Sequence, residues 1–191
     1  ERETHALFFL DNKNKFKNKY KKKIISLIKN PLIKKFHIFG SKGILKNKKI
    51  IFYKTNSLNK FSLDKKFKFA YKKISNRNRI LPEFILYCNL TYEYLSIKII
   101  KENLKKLVTN GYDTLIPVIE DYSINWMYDD NLNVYRPISK NYENRYLKKP
   151  LLKALFGLGT ITTFTNLKDG DLIKGNYHFS KIDSQKISLR Y

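Results

Sequence analysis

The chain is poor in the residues that many small catalytic and secreted proteins rely on. Only one of its 191 residues is Cys (Cys88), which excludes an intramolecular disulfide and a cysteine-based zinc site. Its three histidines, His5, His37 and His178, are scattered and show no metal-ligand spacing. No apolar run reaches the ~18–20 residues of a membrane span; the longest stretches, 151–164 and 80–90, are broken by Lys153 and Glu83. The first ten residues, ERETHALFFL, have neither a secretory pattern nor an Arg/Ser-rich transit pattern. There is no G-x-x-x-x-G-K-[ST] loop and no catalytic triad pattern, and Gly157-x-Gly159 lacks the third Gly and preceding strand of a dinucleotide motif. Acids are scarce, with 16 Asp and Glu against 39 Lys and Arg, a net charge of +23. That excess points away from a free-standing metabolic enzyme and toward a polyanionic partner.

Hydrophobic residues make up 42% of the chain and aromatics 15%, too much apolar material for a disordered basic tail. Lys, Asn, Ile, Phe and Tyr dominate, and these are the residues of AT-rich codons, which points to an organellar or otherwise AT-rich genome. The charge is uneven. Residues 1–80 hold 24 Lys and Arg against 4 acids, while 81–191 hold 15 against 12, so the front carries +20 and the back +3. The expectation is a basic, partly extended N-terminal region (1–80) followed by a conventionally folded back (81–191).

Within the front, Lys13–Lys23 is a Lys/Asn run, solvated or pressed against phosphate. Tyr20–Asn30 reads as a helix stopped by Pro31, Ile33–Phe39 as a strand and Lys48–Lys54 as containing another. From Phe61 to Lys73 Lys and Phe interleave, which suits base stacking plus phosphate contact, or an amphipathic segment facing a protein neighbour. In the back, Pro82 precedes a short apolar stretch, Glu83–Leu90, read as a helix with Pro in its first turn. Tyr92–Leu95 reads as a short strand, and Ile97–Val108 as an amphipathic helix closed by Asn110-Gly111. Thr114–Ile119 reads as a strand that Pro117 places at a sheet edge. Residues 122–136 read as a β-hairpin turning at Asp129-Asp130-Asn131. Pro150–Phe156 reads as a short helix, with strands at Thr160–Thr165, Tyr177–Ser180 and Lys186–Arg190.

This order of elements carries a loop with Arg136, Ser139, Lys140, Arg145, Tyr146, Lys148 and Lys149, then Gly157-Leu158-Gly159, then Thr163-Phe164-Thr165-Asn166. It resembles the eighth protein of the small ribosomal subunit, a universal family, over residues 81–191. Thr165, Asn166 and Lys168 fall in the family's S-T-S-x-G loop, and Lys174-Gly175-Asn176 in its G-G-E block. The resemblance implies an α+β fold: two small α/β lobes with short mixed or antiparallel sheets, about 81–136 and 137–191, after the basic region. It implies a non-enzymatic, cofactor-free structural constituent of a small ribosomal subunit, which the AT-rich composition places in the mitochondrial matrix ahead of a plastid or the cytoplasm. The partners it implies are small-subunit ribosomal RNA and neighbouring ribosomal proteins. The RNA-binding residues it implies are Arg136, Ser139, Lys140, Arg145, Tyr146, Lys148, Lys149, Thr165, Asn166, Lys168, Gly175 and Asn176. The residues themselves agree in kind: basic heads meet phosphates, and hydroxyls and Tyr rings meet sugars and bases. Two rival readings are a basic accessory subunit of another organellar complex, and a nucleic-acid-binding protein or nuclease built on Glu120-Asp121 and Asp129-Asp130. Turn chemistry is the plainer account of those acids.

Overall fold

The computed structural model describes residues 3–10, 18–40, 45, 47–55, 58–90, 92, 97–123, 126–138 and 150–182. In chain order its elements are β1 (Thr4–Phe9), α1 (Asn18–Ile28), β2 (Ile33–Gly40), β3 (Ile50–Lys54), α2 (Leu63–Arg77) and β4 (Phe84–Cys88). These are followed by α3 (Ile97–Asn110), β5 (Thr114–Asp121), β6 (Trp126–Asp129), β7 (Val134–Pro137), β8 (Leu151–Ala154), β9 (Leu158–Thr163), α4 (Asn166–Asp169) and β10 (Tyr177–Lys181). The main sheet has eight strands in the order β10-β5-β9-β4-β1-β2-β3, with β8 paired to β5 beyond β9. All its strands run parallel except β8 and β9. The fold therefore combines helices and strands in an α+β arrangement, as expected, around a mixed, largely parallel sheet consistent with the α/β class. The described strands form this sheet and a separate two-stranded sheet, β6–β7.

Residues 1–80 supply three strands and two helices of this architecture, so the expectation of a partly extended region is corrected. The charge step at residue 80 falls between α2 and β4, and β1 and β4 on either side of it are hydrogen-bonded neighbours, Thr4 to Phe84 through Leu7 to Tyr87. Strand β1 escapes a period-based reading because it is buried on both faces, with Ala6, Leu7 and Phe8 fully buried. A strand covered on both sides is a continuous apolar run with no alternation. The same reason explains why Glu83–Leu90 is the strand β4 and not a helix, since all five of its residues are buried.

The helices divide between the two faces. On one, Ile24 and Leu27 of α1 and Ile100, Leu104 and Leu107 of α3 pack on Ala6, Phe8, Phe36, Ile38 and Leu86. On the other, Phe67, Ala70 and Ile74 of α2, with Leu167 of α4, pack on Leu7, Phe39, Tyr53, Ile85 and Tyr87. The Lys/Phe run thus resolves into an amphipathic helix whose neighbour is its own sheet. Burying Phe67 and Ile74 stabilises by roughly 1.5–3 kcal/mol each. Repulsion among the lysines of α2, at a few tenths of a kcal/mol per helical pair, is too small to oppose it.

Pro117 does not sit at an edge: β5 lies between β10 and β9. Its carbonyl accepts from the Leu155 amide at 2.8 Å. The nitrogen of a strand residue faces the same neighbour as its carbonyl, so the missing N–H points at the junction of β8 and β9, where the ladder is already interrupted. That junction also replaces the helix expected over 150–156. It turns at Gly157, which has φ +90°, and a Cβ there would lie 2.5 Å from Cβ of Asn89. The helix α3 and the hairpin β6–β7 form as the sequence indicates, with Gly111 in the left-handed conformation after α3. The strand candidates at 92–95 and 186–190 lie wholly or mostly outside the described residues.

A buried polar chain crosses three strands on the α2 face. Nδ1 of His5 is 2.9 Å from Nε2 of His37, and Nδ1 of His37 is 3.1 Å from the Tyr53 hydroxyl. Nε2 of His5 lies 3.2 Å from the Glu3 carboxylate. One proton arrangement satisfies every link with neutral rings: Tyr53 donates to His37, His37 to His5, and His5 to Glu3. Burial first, then the neighbouring His5, Lys35 and Arg77, pushes His37 down to about 3. Burial also lowers His5, against the opposing pull of Glu3.

Below the ordinary histidine value the unfolded chain takes up a proton that folded His37 refuses. Stability therefore falls as pH drops from about 6.5 toward 3, by as much as ~1.4 kcal/mol per pH unit for one such group. Thermal unfolding scans at pH 7 and pH 5 should show a lower midpoint at pH 5, and His37→Gln should shrink that gap. Gly157→Ala, which adds a clash to an unfavourable φ, should cost at least ~2 kcal/mol in urea unfolding.

Candidate functional site

From β1 the chain crosses through α1 to β2 on one side; from β3 it crosses through α2 to β4 on the other side of β1. Strand order thus reverses between β1 and β4. In open parallel sheets such a reversal leaves a crevice at the carboxyl ends of the two strands, and ligands bind there. The ends are stitched by the backbone. The Leu10 amide donates to the Phe39 carbonyl at 2.8 Å, and the Thr55 amide to Gly40 at 2.8 Å. The Asn89 amide donates to Gly157 at 2.7 Å, holding the β8–β9 turn against the end of β4. Gly40 lets β2 come close, since a Cβ there would lie 3.0 Å from Cβ of Leu10.

Helices α1 and α3 follow β1 and β4, run back along the same face, and so begin at this carboxyl edge. Neither has an acid in its first turn. An α-helix presents partial positive charge and unpaired N–H groups at its start, which acids normally neutralise. Here the sequence places Lys19, Lys21, Lys22 and Lys23 in the first two turns of α1, with Lys21 and Lys22 exposed. Lys23 reaches across the crevice, where its ammonium donates to the carbonyls of Leu90, at 3.4 Å, and Tyr92. The edge therefore concentrates positive charge with no acid to offset it in either first turn, and an anion relieves that repulsion.

The residues assigned to RNA by the ribosomal resemblance gather elsewhere. Ser139, Lys140, Arg145, Tyr146, Lys148 and Lys149 lie outside the described residues. Arg136 is on the hairpin strand β7, with Nε 3.3 Å from the Asp129 carboxylate. Thr165, Asn166, Lys168, Gly175 and Asn176 collect at the amino edge of the sheet, opposite the crevice. The buried Asn166 amide lies within donating distance of the hydroxyls of Thr114 and Thr162 and of the Lys174 carbonyl, at 3.1–3.2 Å. Gly175 leaves room for Asp113, whose Oδ2 accepts the Asn176 amide at 2.8 Å. Thr165 donates to Thr163 at 3.3 Å, and Lys168 is exposed on α4. Asn166, Gly175 and Asn176 thus close loops of the fold. Sequence pattern alone does not single out Lys23, Leu10 or Asn89, although an apolar run followed by Lys-rich residues and a helical pattern is the signature of a strand leading into a helix.

The acids suggested for a nuclease are occupied locally. Glu120 accepts from Lys181, at 2.5 Å, and from Tyr122, and the Lys181 ammonium holds its carboxyl below the usual range. Asp121 accepts from Ser123 and Asp129 caps its own turn. Among the described residues no group of three or more His, Cys, Asp or Glu stands close enough to hold a metal ion. Burial raises the Cys88 thiol far above its usual value, so it is no nucleophile.

No protein-family model matches the chain, and no curated protein matches it. Solved structures do. The chain superposes on 2-C-methyl-D-erythritol 4-phosphate cytidylyltransferase from Francisella tularensis with a TM-score of 0.61, at 11% identity, covering 87% of this chain and 75% of that one. With 4-diphosphocytidyl-2C-methyl-D-erythritol synthase from Anaerococcus prevotii the TM-score is 0.66 at 7% identity, covering 97% and 89%. With the bifunctional IspDF of Campylobacter jejuni it is 0.59 at 15% identity, covering 95% of this chain and 50% of that one. The likeness is one of fold. It overturns the ribosomal resemblance, and with it the structural, non-enzymatic role, the ribosomal RNA and the ribosomal-protein partners. The motif pieces that carried that resemblance serve the fold in other ways: Gly157-Leu158-Gly159 turns β8 into β9, and the supposed helix before it is β8.

Lys23→Ala should remove the tie from α1 to the end of β4. The expected loss is about 1–2 kcal/mol in chemical unfolding, with faster amide exchange at Tyr92, whose amide bonds to the Asn89 carbonyl at 3.4 Å.

Proposed function

We propose that this chain is a nucleotidyltransferase that binds a nucleoside triphosphate at the carboxyl edge beside β1 and β4. There it transfers the nucleoside monophosphate part to a phosphate-bearing acceptor. An oxygen of the acceptor phosphate attacks the α-phosphorus, the bond to the β-phosphate breaks, and diphosphate leaves. The observation that carries the reading is the start of α1 at the strand reversal, crowded with lysines and free of acids in its first turn. Catalysis of phosphoryl-type transfer is mostly positioning and charge stabilisation, and fixed positive groups at a helix start supply both. The overall charge of +23 suits polyphosphate substrates as well as it suits a polymer.

The fold neighbours are named for transfer of a cytidylyl group to 2-C-methyl-D-erythritol 4-phosphate. Cytidine triphosphate and a polyol phosphate are therefore the first ligands to try on this chain. Magnesium cytidine triphosphate, titrated calorimetrically, should bind the full chain. Diphosphate should be released when 2-C-methyl-D-erythritol 4-phosphate is added. Reversing two exposed charges, Lys21→Glu with Lys22→Glu, should weaken nucleotide binding by about tenfold or more. Absence of binding by every nucleoside triphosphate, or binding indifferent to the reversal, overturns the reading.

A further inference from the structure

At the amino edge of the sheet, on the α1/α3 face and away from the crevice, an open groove of about 370 Å³ is lined by Thr4, Leu32, Phe84, Lys101, Leu104, Lys105, Val108 and Thr109. Its floor is the start of two neighbouring strands, Thr4 of β1 opposite Phe84 of β4. Its walls are apolar: Leu104 and Phe84 are buried, while Leu32 and Val108 remain 40% and 42% exposed. Positions 101, 104, 105 and 108 form one helical stripe at i, i+3, i+4 and i+7, so α3 presents two lysines and two apolar residues to the same opening. Glu102 falls outside that stripe.

The charge among the lining residues is one-sided, with two lysines and no acid. Neither Lys101 nor Lys105 has an ion-pair partner among the described residues. The carboxylate of Glu3, next to Thr4 in the chain, is engaged with His5 on the opposite face of the sheet. Besides the lysine heads, the two threonines are the polar residues of the lining. A volume near 370 Å³ is at the small end of the ~300–1,000 Å³ range of ligand pockets. It holds one narrow apolar chain and no two-chain lipid.

We infer that this groove binds a free, single-chain amphiphile with one anionic head, of the straight-chain carboxylate class. The chain lies on Phe84, Leu104 and Val108, and the head is held by Lys101 and Lys105. The site is separate from the nucleotide edge and does not depend on that assignment. The apolar contacts supply most of the affinity, because lysines at an exposed rim contribute about 1 kcal/mol or less each. The lysines set the preference for an anion over a neutral head.

The test is an amide NMR titration of the full, nitrogen-labelled chain with sodium decanoate kept below its micelle concentration. Decanol, inorganic phosphate and phosphatidylglycerol vesicles are run in parallel. Shifts confined to Thr4, Leu32, Phe84 and residues 101–109 are expected. Lys101→Gln with Lys105→Gln should weaken decanoate by about three- to tenfold and leave decanol unchanged. Val108→Glu, at an exposed position that the fold tolerates, should abolish binding of both; an unchanged circular dichroism spectrum confirms that each variant is folded. The inference is overturned by shifts scattered over the lysine-rich surface, by equal decanoate affinity in the double lysine variant, by the same response to phosphate alone, or by binding only to vesicles.

Discussion

The pairing of β1 with β2 on one edge and β4 on the other is the constraint on which the rest of the molecule depends. It places an apolar strand in the middle of the sheet, with Ala6, Leu7 and Phe8 fully buried. Because β1 is covered on both faces, each crossover must carry a helix to one face or the other. The order of those crossovers creates the reversal between β1 and β4. The crevice, the helix starts that border it and the tie from Lys23 are consequences of that placement.

The high positive charge finds its place in the same geometry. Lys21 and Lys22 of α1 and Lys65, Lys68, Lys72 and Lys73 of α2 are exposed on helices whose inner sides are fully buried, and burial outweighs their screened repulsion. Lys49 closes the end of α1 by donating to the carbonyls of Ile28 and Ile33 at 3.1 and 3.4 Å, a favourable use of a cation at a helix C-terminus. At the start of α1 the same charge is unfavourable, and the helix there leaves an anion-seeking end. A basic composition therefore reports two different things in this chain: solvated helix faces, and one edge where the charge lacks a counterpart in the first turns of its helices.

Elements with a one-sided environment were legible from sequence. Helix α3 has buried Ile100, Leu104 and Leu107 at helical spacing and ends at a left-handed glycine. The hairpin β6–β7 declares itself by alternation and an Asp/Asn turn; Trp126 and Tyr135 are exposed at 53% and 69%, so the hairpin stands clear of the main sheet. The fully buried strands were not legible. Strand β4 shows no period to separate strand from helix, and neither does β1, to which the sequence pattern assigns no element. Strand β8 is short and carries Leu152 and Lys153 outward, so its apolar residues mimic a helical turn. The glycine and threonine residues that suggested a ribosomal family turned out to be turn and strand residues, because small and β-branched side chains serve any tight β junction.

By itself the sequence determined that this is a folded, strongly basic chain with amphipathic helices and a β-hairpin, since these properties depend on composition and on neighbours a few residues apart. Which strands lie side by side, and hence where the lysines of α1 meet the end of β4, was decided only in three dimensions. Those contacts join residues as distant as Lys23 and Tyr92. They depend on backbone pairing and shape-matched burial of the whole sheet, which no local pattern encodes.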